Sequence, residues 1–451
     1  MQITRLNTCL VAGLVMSLQA GNAMAVPLQA LVDGMQDSAA TLASHHDEQE
    51  LQTELSRHRE RAGWSLFGGV DAGRYSELER SGREKYKGMG AHAGLRYPLL
   101  NAMQVRKAAI VDSEIALDKA RHSTALVRAE QQQQLRQTYI DWWRKDAQAQ
   151  WCARYQPVAA KEKRLTGSRA AAQQLRVSER LWLEQGWDNL LRSCKDLDHH
   201  EAGLRQQLAY LHGAELAAGE RPEPEALPLD PGPIARWMPL LEEHPAVLIH
   251  HDEARSLETL PKQRWTDRVD ASFSVSQHLD RRSDLSGQGS GTVAAVHFEV
   301  PIGSMKNRGR AGLGESRYVA AQHRVLDSRQ HMLQMLEKTL FDYHQQLRQL
   351  EGRRQQLQRV QRLIAEQQAR LTMDTEEGFI RLRQARLEQA GSELDLINDW
   401  HAGWSVLAQL QVLAEDGLPV SRPTSWSWPE FSAARGEVPG LSAAGTFAGN
   451  P

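Results

Sequence analysis

Few residues in this chain of 451 are spaced to make or break bonds. His199-His200 and His250-His251 are the first candidates for metal ligation, because neutral imidazole is a common ligand. Adjacent helical residues project to different sides, however, and neither pair has a carboxylate or cysteine shell beside it. The glycines of Gly309 to Gly314 follow a proline and open a long helical sequence, which is not a phosphate-cradling arrangement. The chain has no Gly-x-Ser-x-Gly elbow and no His-Glu-x-x-His helix, so neither serine-nucleophile nor zinc-hydrolase chemistry is indicated. An enzyme is not expected, and no cofactor or metal is called for. Cys152 and Cys194 both fall in helical sequence and read as ordinary helix cysteines; a single bridge is the alternative and would need their Cα atoms close together. The remaining chemistry is electrostatic. Asp374, Glu376 and Glu377 lie together where a helical hairpin should turn and read first as a solvated acidic turn at the start of a helix, where negative side chains favour the positive dipole end.

The elements that position these residues follow from periodicity. Arg5, an apolar run from Cys9 to Leu18, and Ala23-Met24-Ala25 read as a secretory signal over 1–25, with the mature chain starting near Val26. Beyond it no run of about 18 apolar residues occurs, so a membrane role requires a β-barrel. The net charge of −2 offers no basic excess for a phosphate backbone, which argues against nucleic acid as a partner.

Two parts of the chain share one plan. Tyr97-Pro98 precedes a long helical sequence with Leu135-Arg-Gln-Thr-Tyr-Ile-Asp141, and Val300-Pro301 precedes another with Leu336-Glu-Lys-Thr-Leu-Phe-Asp342. Arg164-Leu165-Thr166 is answered by Arg370-Leu371-Thr372. Each part starts helically, over Leu28 to Arg61 and His244 to Lys262, and then alternates with period two. Trp64, Leu66, Val70 and Ala72, then Met89, Ala91, Ala93 and Leu95, form one face; Asp71, His92 and Arg96 fall on the other. Later, Phe273, Val275, Val296 and Phe298 alternate with Asp270, Ser272, Ser274, His297 and Glu299. Such segments fit barrel strands with a lipid face and a polar lumen face. The lumen residues would be Asp71, His92, Arg96, Asp270, His297 and Glu299; their mixed signs give no charge preference for a cargo. Polar connectors are expected over Ser76 to Lys87 and Asp280 to Gly291.

Long helices follow the strands. Leu333, Leu336, Leu340, Tyr343, Leu347, Leu350, Leu357, Val360 and Ile364 make a heptad seam. The returning stretch from Phe379 to Trp404 supplies its partner. A helix from Arg310 to Leu371 would reach about 93 Å. Pro157 should kink or locally break the first long helix. Four strands cannot enclose a lumen, since closed barrels begin at about eight; three copies would supply twelve.

This order resembles the TolC-like outer membrane factor family across nearly the whole mature chain. The local matches are Tyr97-Pro98, Val300-Pro301-Ile302-Gly303 leading through Asn307-Arg308-Gly309 into helix, and Arg164-Leu165-Thr166-Gly167 at the first hairpin turn. The second copy departs, because Met373-Asp374 follows Arg370-Leu371-Thr372 and a turn glycine is missing. The resemblance implies a mostly helical fold with a membrane β-barrel, built of two repeats per protomer, each a helix, a β-hairpin and a long antiparallel coiled-coil hairpin. It further implies a homotrimer with a twelve-stranded barrel in outer-membrane lipid and a helical tunnel across the periplasm. Its partners would be a periplasmic adaptor (membrane fusion protein) and an inner-membrane pump, in a tripartite efflux or type I secretion system. The tips Arg164, Leu165, Thr166, Gly167, Arg370, Leu371 and Thr372 would dock the adaptor. Asp374, Glu376 and Glu377 would form the periplasmic gate, held by partners such as Arg381 or Arg383.

The expected domains are a first repeat over 26–213, with strands at 64–75 and 88–98 and a helical hairpin at 102–213; a proline-rich connector over 214–239; a second repeat over 240–417, with strands at 268–279 and 292–302 and a hairpin at 308–415; and a flexible tail over 418–451, in which Trp426 and Trp428 could dock on the waist. A periplasmic coiled-coil adaptor or scaffold is the competing reading. It accounts for the hairpins but not for four amphipathic strands.

Overall fold

The computed structural model describes residues 25–79, 82–217, 219–260, 269–282, 288–300, 313–370, 376–414, 418–419 and 425–428. Of the signal expected over 1–25, all but Ala25 lies outside them, as do Pro301-Ile302-Gly303 and Asn307-Arg308-Gly309.

The chain opens with β1 (Ala25–Val26), α1 (Leu28–Asp33) and α2 (Ala39–Arg61). The helix expected over Leu28 to Arg61 is thus interrupted between Asp33 and Ala39. The buried Gln131 side chain explains how the break is tolerated: its amide donates to the Gln36 carbonyl at 2.8 Å and accepts from the Ser38 N–H at 3.1 Å. Ser38 in turn caps α2 by accepting from the Thr41 N–H.

Next come β2 (Ser65–Glu79) and β3 (Gly82–Leu99), followed by α3 (Leu100–Ala171). The strands run through the stretch expected to be a connector over Ser76 to Lys87, because Tyr75 pairs with Tyr86 and Glu79 with Gly82. No residue separates strand from helix: Leu99 ends β3 and Leu100, with φ of 49°, starts α3. That left-handed conformation turns the chain abruptly.

The 72 residues of α3 would extend about 108 Å at 1.5 Å per residue. Pro157 lies inside this helix without ending it, so of the expected kink or local break the break does not occur. An interior proline costs about 3 kcal/mol; burial of Trp151, Tyr155 and Ala159 on the turns around it holds the helix together.

The return path is α4 (Val177–Leu191), a short 3-10 turn at Arg192–Cys194, and α5 (Leu197–His212). Cys194 in that turn is disulfide-bonded to Cys152 of α3, with Cα atoms 5.7 Å apart. The reading of both as ordinary helix cysteines is corrected by this bridge. The break in the return helix swings Cys194 toward α3, which no helical periodicity could signal. Asp196 adopts a left-handed conformation as α5 begins.

The connector holds β4 (Arg221–Pro222), parallel to β1, and β5 (Leu227–Pro228). Then come α6 (Ile234–Glu243) and α7 (Pro245–Glu258), β6 (Asp270–Arg282) and β7 (Gln288–Glu299), and the long pair α8 (Leu313–Arg370) and α9 (Glu376–Leu413). Again the strands extend into the expected connector over Asp280 to Gly291, since Arg281 pairs with Gln288. Leu336, Leu340, Tyr343, Leu347, Leu350, Leu357 and Val360 are buried along α8, and Leu394, Ile397, Trp400, Trp404 and Leu407 along α9, so the heptad seam of the sequence is the seam between these helices. Among the described residues no helix is long and apolar enough to cross a membrane.

The core gathers at mid-length, where Trp142, Trp151, Trp187, Trp237, Trp400 and Trp404 are fully buried. Part of the expected free tail belongs to this core. β8 (Ser425–Trp426) pairs with β5, and Trp428 stacks edge-on against Trp143 at 4.8 Å and Trp400 at 5.3 Å. Large aromatic surfaces outweigh the entropy cost of ordering four residues.

Candidate functional site

Strands β2, β3, β6 and β7 form one antiparallel sheet in that order. Side chains alternate across a strand, so the pairing register decides which residues share a face. Asp71 is opposite Gly90, Ser65 opposite Arg96, and Gly69 opposite His92. Arg96 is opposite Ser274 and His92 opposite His278; Ser272 is opposite His297 and Asp270 opposite Glu299. Asp71, His92, Arg96, Asp270, His297 and Glu299 therefore all project from one face. Phe67, opposite Gly94, lies on that face too, with the Arg96 guanidinium 4.8 Å from its ring centre. At the helical end, Asp270 accepts from the Asn101 amide at 2.7 Å, tying β6 to the start of α3.

The opposite face is apolar, and it is the more exposed one. Leu66 is 80% and Val70 82% exposed, while Ser274 and Ser276 of the polar face are buried. Gly88 and Gly90 are likewise buried, whereas Met89, Ala91 and Ala93 are exposed. This inverts the order of a water-soluble sheet, in which apolar side chains go inside. Trp64 lies 5.2 Å from Tyr97 and 6.1 Å from Phe273 between ring centres, so aromatic side chains cluster on the apolar face where the sheet meets the helices. Aromatic belts of this kind mark the edge of a lipid layer.

The far ends of the helices hold the second group of residues singled out in the sequence. Arg164, Leu165, Thr166 and Gly167 lie in the last turns of α3, and the chain reverses beyond them, between Ala172 and Arg176. Thr166 is buried, and its hydroxyl donates to the Glu162 carbonyl at 3.0 Å; Arg164 is exposed, and a side chain at Gly167 would meet open space. Arg370 ends α8, exposed and paired with Glu366. Leu371, Thr372 and Asp374 lie outside the described residues, and Glu376 opens α9. Glu377 is exposed and pairs with Arg381 one turn on.

Arg383, expected as a partner of the acidic trio, is paired across to another helix. It reaches Glu162 of α3 at 3.0 Å, and Arg386 bonds the same carboxylate. Burial pulls the Arg383 guanidinium below its ordinary value, with Glu162 opposing that shift. Phe379 is sandwiched between the guanidinium groups of Arg169 and Arg383, each 4.0 Å from its ring centre. Glu162, Arg386, Phe379 and Arg169 were not legible as a group in the sequence, since they come from two helices more than two hundred residues apart; the signal that could have found them is a glutamate on the apolar face of α3.

Of the histidine pairs, His200 contacts the Asp196 carbonyl, and His250 and His251 face Glu253 and Asp252. Among the described residues no group of three or more His, Cys, Asp or Glu is placed to hold a metal ion.

By sequence, no protein-family model and no curated protein matches the chain. By structure it is similar to the outer membrane protein VceC of Vibrio cholerae, at 13% identity and a TM-score of 0.60, over 86% of this chain and 96% of that one. It is similar to the outer membrane channel CmeC of Campylobacter jejuni, at 10% identity and a TM-score of 0.57, over 88% and 87% of the two chains. A membrane protein from Pseudomonas aeruginosa matches at 15% identity and a TM-score of 0.56, over 86% and 93%. At such identities the likeness speaks for the fold: this chain has the fold of the TolC-like outer membrane factors.

Proposed function

We propose that this chain is one protomer of an outer-membrane channel that conducts substrate from an inner-membrane pump and a periplasmic adaptor to the exterior. The observation that carries the reading is the inverted sheet, whose apolar face is the more exposed one while Gly88, Gly90, Ser274 and Ser276 of its polar face are buried. Among the described residues its two outer strands, β2 and β7, have no strand paired on their outer side. In lipid an unpaired edge leaves backbone groups unsatisfied at several kcal/mol each, so the sheet must close with other copies. Three copies give a twelve-stranded barrel whose lumen is lined by Asp71, His92, Arg96, Asp270, His297 and Glu299.

In this reading α3, α4, α5, α8 and α9 build a periplasmic tunnel. The helix ends at Arg164 to Gly167 and Arg370 to Thr372 dock the adaptor. Asp374, Glu376 and Glu377 ring the periplasmic entrance, and Glu162 with Arg383 and Arg386 ties the α8–α9 hairpin to α3 near it. The fold is shared with channel proteins, which supports transport and not catalysis.

The test is fractionation followed by reconstitution. The protein should stay in washed outer membranes until detergent is added, run as a trimer after crosslinking, and give ion currents in planar bilayers. Release by salt alone, or a monomer in light scattering, would end this reading in favour of a periplasmic scaffold.

A further inference from the structure

One block of the polar face is stripped of every side chain except two carboxylates and two imidazoles. Across the four strands, one row reads Asp71, Gly90, Asp280, Gly289. The next row on the same face reads Gly69, His92, His278, Gly291. Glycine weakens a strand interior and often marks a place where something must approach closely. Here the crowding is measurable. A Cβ on Gly90 would lie 2.7 Å from Asp71 Oδ1 and 2.9 Å from Asp280 Oδ1; one on Gly69 would lie 2.7 Å from His92 Cε1. The glycines let carboxylates from both neighbouring strands lean over the strand between them, and let the His92 ring lie flat.

The imidazoles are neighbours as well. The His92 and His278 rings stack with centres 5.4 Å apart and planes 28° from parallel, and His278 Nε2 bonds Ser276 Oγ at 2.9 Å. Two carboxylates leaning toward one another concentrate negative charge at this level of the face, and such charge draws cations. Two imidazoles beside them choose which cation: nitrogen with carboxylate oxygen suits zinc, copper(II), nickel and cobalt, whereas magnesium and calcium take oxygen alone.

We infer that this block is a passage site for hydrated divalent transition-metal ions, which bind His92 and His278 while Asp71 and Asp280 supply the attracting charge. The inference rests on the polar face being a channel lumen. The block does not draw three ligating side chains into a cage, so water must complete the ion's shell. Weak holding is what conduction requires, since an ion that enters must also leave. Bound metal adds positive charge to the lumen wall.

The test uses the full chain in planar bilayers, with the reversal potential read across a potassium chloride gradient. Zinc should move it toward chloride selectivity, and magnesium at the same concentration should not. In His92→Gln/His278→Gln the zinc needed for half the shift should rise about tenfold, equivalent to about 1.4 kcal/mol. The single variants His92→Gln and His278→Gln, read in the same way, serve if the double variant fails to insert. Copper(II) bound to the detergent-solubilised protein should also show imidazole nitrogen couplings by electron paramagnetic resonance, and these should weaken in the variants. Currents that respond equally to zinc and magnesium, or a zinc response unchanged in the histidine variants, would overturn this inference and leave the channel standing. Absence of any current would overturn both.

Discussion

Glu162 on α3 and Arg383 on α9 form an ion pair of 3.0 Å with both residues nearly shut off from solvent, at 2% and 7% exposure. It crosses from α3 to α9 close to their far ends, at the entrance of the tunnel proposed above. Breaking a buried pair by removing one partner costs about 3 to 5 kcal/mol, because the other charge stays behind unpaired. Glu162→Ala should therefore loosen the far ends of the helices, raising bilayer conductance and speeding amide exchange in 376–390. Glu162→Ala/Arg383→Ala should be closer to wild type in thermal stability than Glu162→Ala alone. Additive losses in that double variant would mean the two residues act separately.

The inverted sheet makes a face-specific prediction. Arg in place of Val70 or Val296 should impair membrane assembly by about 2 to 4 kcal/mol near the bilayer midplane. Arg in place of Ser272, on the polar face, should be accepted. Ser274, also on that face, is buried, so it is not an equivalent control. Heat-resistant oligomer on a gel is the readout, and equal damage from both faces would contradict a lipid-facing apolar side.

The disulfide closes a loop of 42 residues. On the chain-entropy account a loop of this length is worth about 4 kcal/mol. Cys152→Ser/Cys194→Ser, or reduction of the wild type, should lower the thermal midpoint and expose the 3-10 turn between α4 and α5 to protease. An unchanged midpoint would show that the bridge adds nothing to packing already sufficient.

Glu393 of α9 is buried, and burial raises its carboxyl above the ordinary glutamate value despite Arg154 at 3.2 Å. A carboxyl raised on folding binds its proton more tightly in the folded state. Its contribution is fully present below the unfolded value of about 4.3 and is lost as pH rises through the folded value. Glu393→Gln, which stays neutral, should remove that fall: its stability relative to wild type should rise between pH 4 and pH 7. Parallel denaturation profiles for the two proteins over that range would refute the assignment.

Alternation makes the polar face legible in the sequence, because a strand with period two commits each residue to one side. Leu66 and Val70 against Asp71, and Val296 against His297, were enough. The long helices announced themselves through Leu336, Leu340, Tyr343 and Leu347. What escaped were interactions set by three-dimensional approach. Cys152 and Cys194 meet only because the return helix breaks at Arg192, and Pro157 is tolerated only because its neighbours are packed. Trp428 docks because Trp143 and Trp400 leave an edge for it. Glu162 looked like one more charge on a helix until α9 brought two arginines to it.

The outward apolar face of the sheet bears on how such a protein reaches its place. In water, before any lipid is met, Leu66, Val70, Val296 and Phe298 would stand uncovered beside two unsatisfied strand edges, a combination that invites aggregation. The helical part carries its own core of tryptophans, to which these strand residues do not belong. On the proposed function, the interval before the strands meet lipid is the hazardous one, and it is the strands, not the helices, that would need covering during it.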